Sequence, residues 1–223
     1  SVVTRPAAAR LAAKYRVISW DRPNCVGRSE FAFTGARDVD LWADQIVELL
    51  GALNAVPAYF AGPSMGNRTN FAVAVRYPDV VRGLFLYHIS GNENATLAYD
   101  YWAAYADMAD KGGMKAVAAT PYWSDLLRDT PARRAQLIDT DPREFSRVMR
   151  RWTAAYKPSD AALLMSESDL RRHMANGVPT RIIKGCLEDP THSRATSDKV
   201  ASFLPNAEYV ESPGFCAEWE RLR

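Results

Sequence analysis

Apolar residues recur along this chain in two rhythms, and each predicts a different element. Val39, Trp42, Ile46, Leu49, Leu50 and Leu53 fall mostly three or four apart, which places them in one stripe on a helix. Asp38 is positioned to cap that helix, and Gly51 and Asn54 mark its end. A shorter Ala-rich helix with Leu11 on one face is expected over residues 6–15. Short apolar runs predict strands at residues 16–20, 58–61, 82–87, 179–185 and 207–211. Between them, a periodic run from Phe71 to Tyr77 predicts a helix that Pro78 stops. Another helix, capped by Ser193, is expected to reach Leu204 with Val200, Phe203 and Leu204 inward. Strands alternating with helices imply the α/β class, with a doubly wound, mostly parallel sheet covered on both faces. Ligands of such sheets bind beyond the carboxyl ends of the strands.

The alternation breaks between Gly91 and Val178. Helices are predicted there over residues 96–111, 121–128, 131–138, 142–156 and 159–175, several opened by a proline that suits the first helical turn. Aromatic residues concentrate in this region, among them Tyr101, Trp102, Tyr105, Tyr122, Trp123, Phe145 and Trp152. The expected organisation is a core of residues 1–90 and 179–223 with a helical cap inserted at 91–178.

The candidate chemistry lies at the end of the strand at 58–61. There Gly62-Pro63-Ser64-Met65-Gly66 makes a Gly-x-Ser-x-Gly turn between a strand and a helix. Such a turn is a nucleophile elbow: small flanking residues permit a strained backbone that lifts the serine hydroxyl clear of the sheet. At the start of the following helix, the Met65 amide can help hold a developing oxyanion.

Composition narrows the remaining choices. Net charge is +2 with 24% charged residues, which argues against a nucleic-acid or membrane-surface partner. No apolar run is long enough to span a bilayer. Cys25, Cys186 and Cys216 are too far apart to suggest a disulfide framework or a zinc site, so a cytoplasmic setting is expected. No cofactor or metal is implied, and a small-molecule substrate is the expected partner. His88 ends the strand at 82–87 and is expected to be a satisfied, partly buried residue near the pocket. His173 follows Arg171 and Arg172 and is expected in solvent. Arg147, Arg150 and Arg151 are read as a solvated helix face.

Taken together, these residues resemble the α/β-hydrolase fold with a helical cap. The elbow at 62–66, the strand and loop at 15–29, the Tyr77-Pro78-Asp79 link into the next strand, and residues 178–210 carry the resemblance. It implies a serine-dependent hydrolase of a small-molecule ester, amide or related bond. Ser64 would attack a carbonyl, a histidine would take its proton, and a carboxylate would orient that histidine. In chain order the acid follows the strand ending at Gly185, where Asp189 is favoured and Glu188 is the alternative.

Two departures from the family pattern stand beside these matches. No early His-Gly loop is present to supply a second oxyanion donor, and Asn24 stands where glycine is usual. No histidine follows His192, although the family places its catalytic histidine after the last strand. Three readings therefore stay open. The natural chain continues and supplies the histidine, His192 serves from the acid loop, or no triad operates. The last corresponds to a catalytically inactive scaffold that binds a small ligand or partner. Acyl transfer or carbon–carbon lyase chemistry on the same elbow is a further enzymatic alternative. The expected lack of the first strands would expose a sheet edge, which predicts self-association, possible as a homo-oligomer.

Overall fold

In the computed structural model of the chain, residues 5–23, 38–90, 92–155, 166–185 and 192–212 are described. They divide into two compact units. One comprises Ser1–Ile89 with Glu167–Arg223, and the other is Ser90–Ser166.

The first unit is built on a four-stranded parallel sheet of β1 (Ala58–Pro63), β2 (Val81–Tyr87), β3 (Thr180–Ile183) and β4 (Glu208–Val210), in that spatial order. Parallel strands need crossovers, and helices supply them. β1 is joined to β2 through α3 (Met65–Arg76), and β3 to β4 through α9 (Arg194–Phe203). The β1–β2 register runs from Ala58 opposite Val81 to Pro63 opposite Tyr87. All four strands point the same way, so the residues just past Pro63, Tyr87 and Ile183 lie on one edge.

Preceding the sheet are α1 (Arg5–Leu11) and α2 (Asp38–Ala52). The stripe on α2 is buried at Val39, Trp42, Ile46 and Leu50. Each such side chain stabilises the fold by roughly 1.5–3 kcal/mol. Trp42 also donates from Nε1 to the Pro23 carbonyl at 3.1 Å, and the Arg22 guanidinium lies 4.5 Å over its ring. α2 packs on α3, and Arg76 at the end of α3 pairs with Asp44 at 2.8 Å. The Tyr77 hydroxyl donates to the same carboxylate at 2.6 Å, and this bond is the main cause of the rise in the Tyr77 pKa.

Residues 16–20 do not form the expected strand. An apolar run becomes a strand only when a neighbour completes its ladder, and this one makes side-chain contacts instead. Tyr15 packs edge-on against Tyr59 at 6.5 Å, and Arg16 donates to the Leu53 carbonyl at 2.9 Å. Tyr15 and Val17 stay exposed.

The second unit is helical: α4 (Asn92–Ala118), α5 (Pro121–Leu126), α6 (Pro131–Ile138) and α7 (Pro142–Ala155). Gly113 breaks α4 with φ 68, a conformation that suits glycine. The core of this unit is Tyr105, Ala109, Met114, Val117 and Phe145, with Trp123 packed against it. Arg150 on α7 ties to Asp107 and Asp110 on α4, at 2.8 Å each, and Arg147 pairs with Glu144. α8 (Glu167–Ala175), which the sequence groups with the insertion, belongs to the sheet unit and packs on α3. No helix among the described residues is long and apolar enough to cross a membrane.

Candidate active site

Ser64 stands between β1 and α3 with φ 50 and ψ −114, far from the basins that a side chain favours. Such a backbone costs of order 1–3 kcal/mol and persists only where its surroundings over-determine it. The determinants are visible. The Ser64 amide donates to the His88 carbonyl at 2.9 Å, and the Asn67 amide donates to the Ser64 carbonyl at 3.0 Å. Small flanking residues make room: a Cβ on Gly62 would come within 3.3 Å of the Gly66 Cα. The strained strand-to-helix turn expected at 62–66 is therefore present.

Met65 opens α3, so its amide is among the first-turn donors that no intrahelical carbonyl satisfies. Its own carbonyl accepts from the Thr69 hydroxyl at 3.3 Å, and its sulfur lies 3.6 Å from Arg68 Nη1. α3 carries an unusual set of buried polar residues for a helix against a sheet: Asn67, Arg68, Thr69 and Asn70.

His88, one residue beyond β2, also has left-handed backbone, with φ 46, and is buried. Its carbonyl receives the Ser64 amide and, at 3.3 Å, the Asn67 side-chain amide. His192 is buried too, and its ring meets that of His88 edge to face, with centroids 5.2 Å apart and planes at 69°. Ser64, His88 and His192 therefore gather on one edge of the sheet, across more than 100 residues of sequence.

The segment around His192 is held by close backbone approach. A Cβ on Gly185 would lie 2.5 Å from the His192 carbonyl oxygen and 2.6 Å from that of Ser193. Only glycine fits where the chain leaves β3 and returns into α9. The Ser197 hydroxyl accepts from the Gly185 amide at 3.0 Å, and Arg194 donates to the Gly185 carbonyl at 3.0 Å. Ser193 caps α9 as expected, accepting from the Thr196 amide at 3.2 Å. The intervening residues 186–191, which include both candidate acids, Asp189 and Glu188, lie outside the described residues. So do Cys25, Cys186 and Cys216.

His173 is not in solvent as the neighbouring arginines suggest. It is buried on α8 with its ring 4.6 Å from that of Phe71 on α3. The Thr180 hydroxyl donates to the Val178 carbonyl, so it accepts from His173 Nε2 at 2.9 Å. Burial pulls the His173 pKa down to about 4. Thr180 begins β3, so His173 sits at the end of the sheet opposite Ser64. Among the described residues no group of three or more His, Cys, Asp or Glu side chains is placed to hold a metal ion.

Solved structures share this arrangement of strands and helices. MGS-M2, an α/β hydrolase enzyme from a Medee basin deep-sea metagenome library, superposes with a TM-score of 0.68 at 18% identity, over 100% of this chain and 82% of its own. The chain has the α/β-hydrolase fold. The enol-lactonase from Burkholderia xenovorans LB400 is similar with a TM-score of 0.63 at 22% identity, over 95% of this chain and 78% of its own. A thermophilic esterase from Thermogutta terrifontis is similar with a TM-score of 0.62 at 20% identity, over 98% and 84%. No protein-family model matches the chain, and no curated protein matches its sequence. At these identities the likeness concerns the fold.

The elbow serine and its helix were legible from the motif. The place of Asn67 is not legible from the motif, although a carboxamide three residues past the turn serine is a signal of it. The role of the His88 backbone had no signal beyond its place at a strand end.

Proposed function

We propose that the chain is a serine-dependent hydrolase of a small-molecule ester, amide or related bond, with Ser64 as its nucleophile. The observation that carries this reading is the strained, positively turned backbone of Ser64 at a strand–helix junction, pinned by the His88 carbonyl. Strain of this kind concentrates at functional sites. Fold likeness to a lactonase and an esterase supports the bond class, since each of those proteins acts on an ester linkage.

In this mechanism the Ser64 hydroxyl attacks the substrate carbonyl carbon while a histidine takes the hydroxyl proton. The carbonyl oxygen becomes an oxyanion against the Met65 amide. The histidine then returns the proton to the leaving group, and water hydrolyses the acyl-enzyme by the same steps in reverse order. His192 is the proposed base, with Asp189, or Glu188 in its place, as the acid that orients it. Burial of His192 beside His88, on the edge that presents Ser64, supports its assignment over His173. Ser90–Ser166 is proposed as the cap, the part of this fold that selects substrate.

Fluorophosphonate labelling of the purified protein tests the nucleophile. Covalent labelling of the wild type that disappears in Ser64→Ala is the expected result. Labelling that survives the substitution removes Ser64 from the role. A wild type inert to the probe and to a panel of activated esters favours the ligand-binding scaffold instead.

A further inference from the structure

Asn67 makes contacts that a helix residue does not need. Its side chain is completely buried. Nδ2 donates to the Tyr87 carbonyl at 2.6 Å and to the His88 carbonyl at 3.3 Å, while Oδ1 accepts from the Tyr87 amide at 3.4 Å. A carboxamide offers the same donor and acceptor as a peptide group. Here it takes the place of a strand neighbour just where the β1–β2 ladder ends, at Pro63 opposite Tyr87.

We infer that Asn67 is a positioning residue that holds the nucleophile turn through the carbonyl of His88. Three hydrogen bonds close a ring. The Asn67 amide binds the Ser64 carbonyl, the Ser64 amide binds the His88 carbonyl, and the Asn67 side chain binds that same carbonyl. Two members of the ring, Ser64 and His88, have positive φ. The relaxed alternative for both is a return to ordinary extended or helical backbone. That return needs the His88 carbonyl to turn, and the Asn67 amide restrains it. The same restraint reaches further, because the His88 ring packs on His192. Asn67 thereby couples the serine and the proposed base to one fixed point, without touching substrate itself.

The catalytic half of this inference rests on Ser64 being the nucleophile, whereas the mechanical half does not. The test therefore has two readouts. Amide hydrogen exchange in the wild type is expected to show Ser64 protected relative to Met65, because of these two amides only that of Ser64 lies in the ring. In Asn67→Asp, which is nearly isosteric but turns an acceptor toward two carbonyl oxygens, exchange at Ser64 is expected to rise about 10-fold or more, with Leu84 and Leu86 unchanged. Asn67→Ala is the second variant, and thermal unfolding checks that each is folded. In the same variants the maximal rate of fluorophosphonate inactivation is expected to fall about 10-fold or more, with little change in the half-saturating probe concentration. Equal exchange of Ser64 and Met65 in the wild type overturns the inference, as does unchanged Ser64 protection in a folded variant. A loss of labelling rate that matches only a lost folded fraction also overturns it. If the wild type does not label at all, the hydrolase reading fails by itself, and the exchange data still decide the role of Asn67.

Discussion

Acid should destabilise this protein through His173, and the size of the effect follows from its surroundings. The ring is 2% exposed, lies against Phe71, and has its Nε2 proton committed to the Thr180 hydroxyl. A second proton must enter at Nδ1, which is buried and has no hydrogen-bond partner among the described residues. The folded pKa therefore drops from 6.5 to about 4, through burial. Well above pH 6.5 the group is neutral in both states and contributes no pH dependence. As the pH falls below that value, the unfolded chain binds a proton that the folded chain refuses, until the folded pKa is reached. At about 1.4 kcal/mol per pKa unit, the total cost is about 3 kcal/mol, of which about 2 kcal/mol is lost between about pH 7 and pH 5. Urea unfolding of the wild type and of His173→Gln across that range isolates the effect, since the other titrating groups are common to both. The wild type should lose about 2 kcal/mol more than the variant on acidification. Parallel pH dependence in the two proteins would show that the buried histidine is not the cause and refute the reasoning.

Two further outcomes follow from the strained turn at Ser64 and the close backbone approach at Gly185. Gly185→Ala places a Cβ 2.5 Å from the His192 carbonyl oxygen, against backbone that cannot yield cheaply. Thermal unfolding should show a loss of roughly 1–3 kcal/mol, and, on the proposed role of His192, the rate of fluorophosphonate labelling should fall with it. Ser64→Gly removes the side chain from a positive-φ position. Relief of strain exceeds the added freedom of the unfolded chain, so stability should rise by about 1 kcal/mol in urea unfolding while covalent labelling is abolished. A destabilised glycine variant would mean that the Ser64 backbone is not strained.

What could be read from the sequence was what short-range physics decides. The α2 stripe buries at Val39, Trp42, Ile46 and Leu50 because helical periodicity alone sets which side chains share a face. The elbow forms because the chain between a strand and a helix must turn sharply, and Gly62 and Gly66 permit the close approach. Ser193 caps α9 through a bond spanning three residues. Each of these outcomes depends on neighbours a few positions away, so a local pattern is enough.

Other features were decided only when distant segments met. Residues 16–20 have strand-like composition, but a strand is a property of a pair, and no ladder forms there. His173 follows two arginines, yet α8 turns it onto Phe71, a partner about 100 residues earlier. The meeting of His88 with His192, and the capture of the His88 carbonyl by Ser64 and Asn67, likewise join residues that no local pattern links. Periodicity states that a face will be buried, but not against what. The sequence by itself therefore determined the helices, the turn and the presentation of Ser64. The parallel stacking of strand ends determined which distant residues share its edge of the sheet, because only that stacking brings the ends of β1, β2 and β3 together.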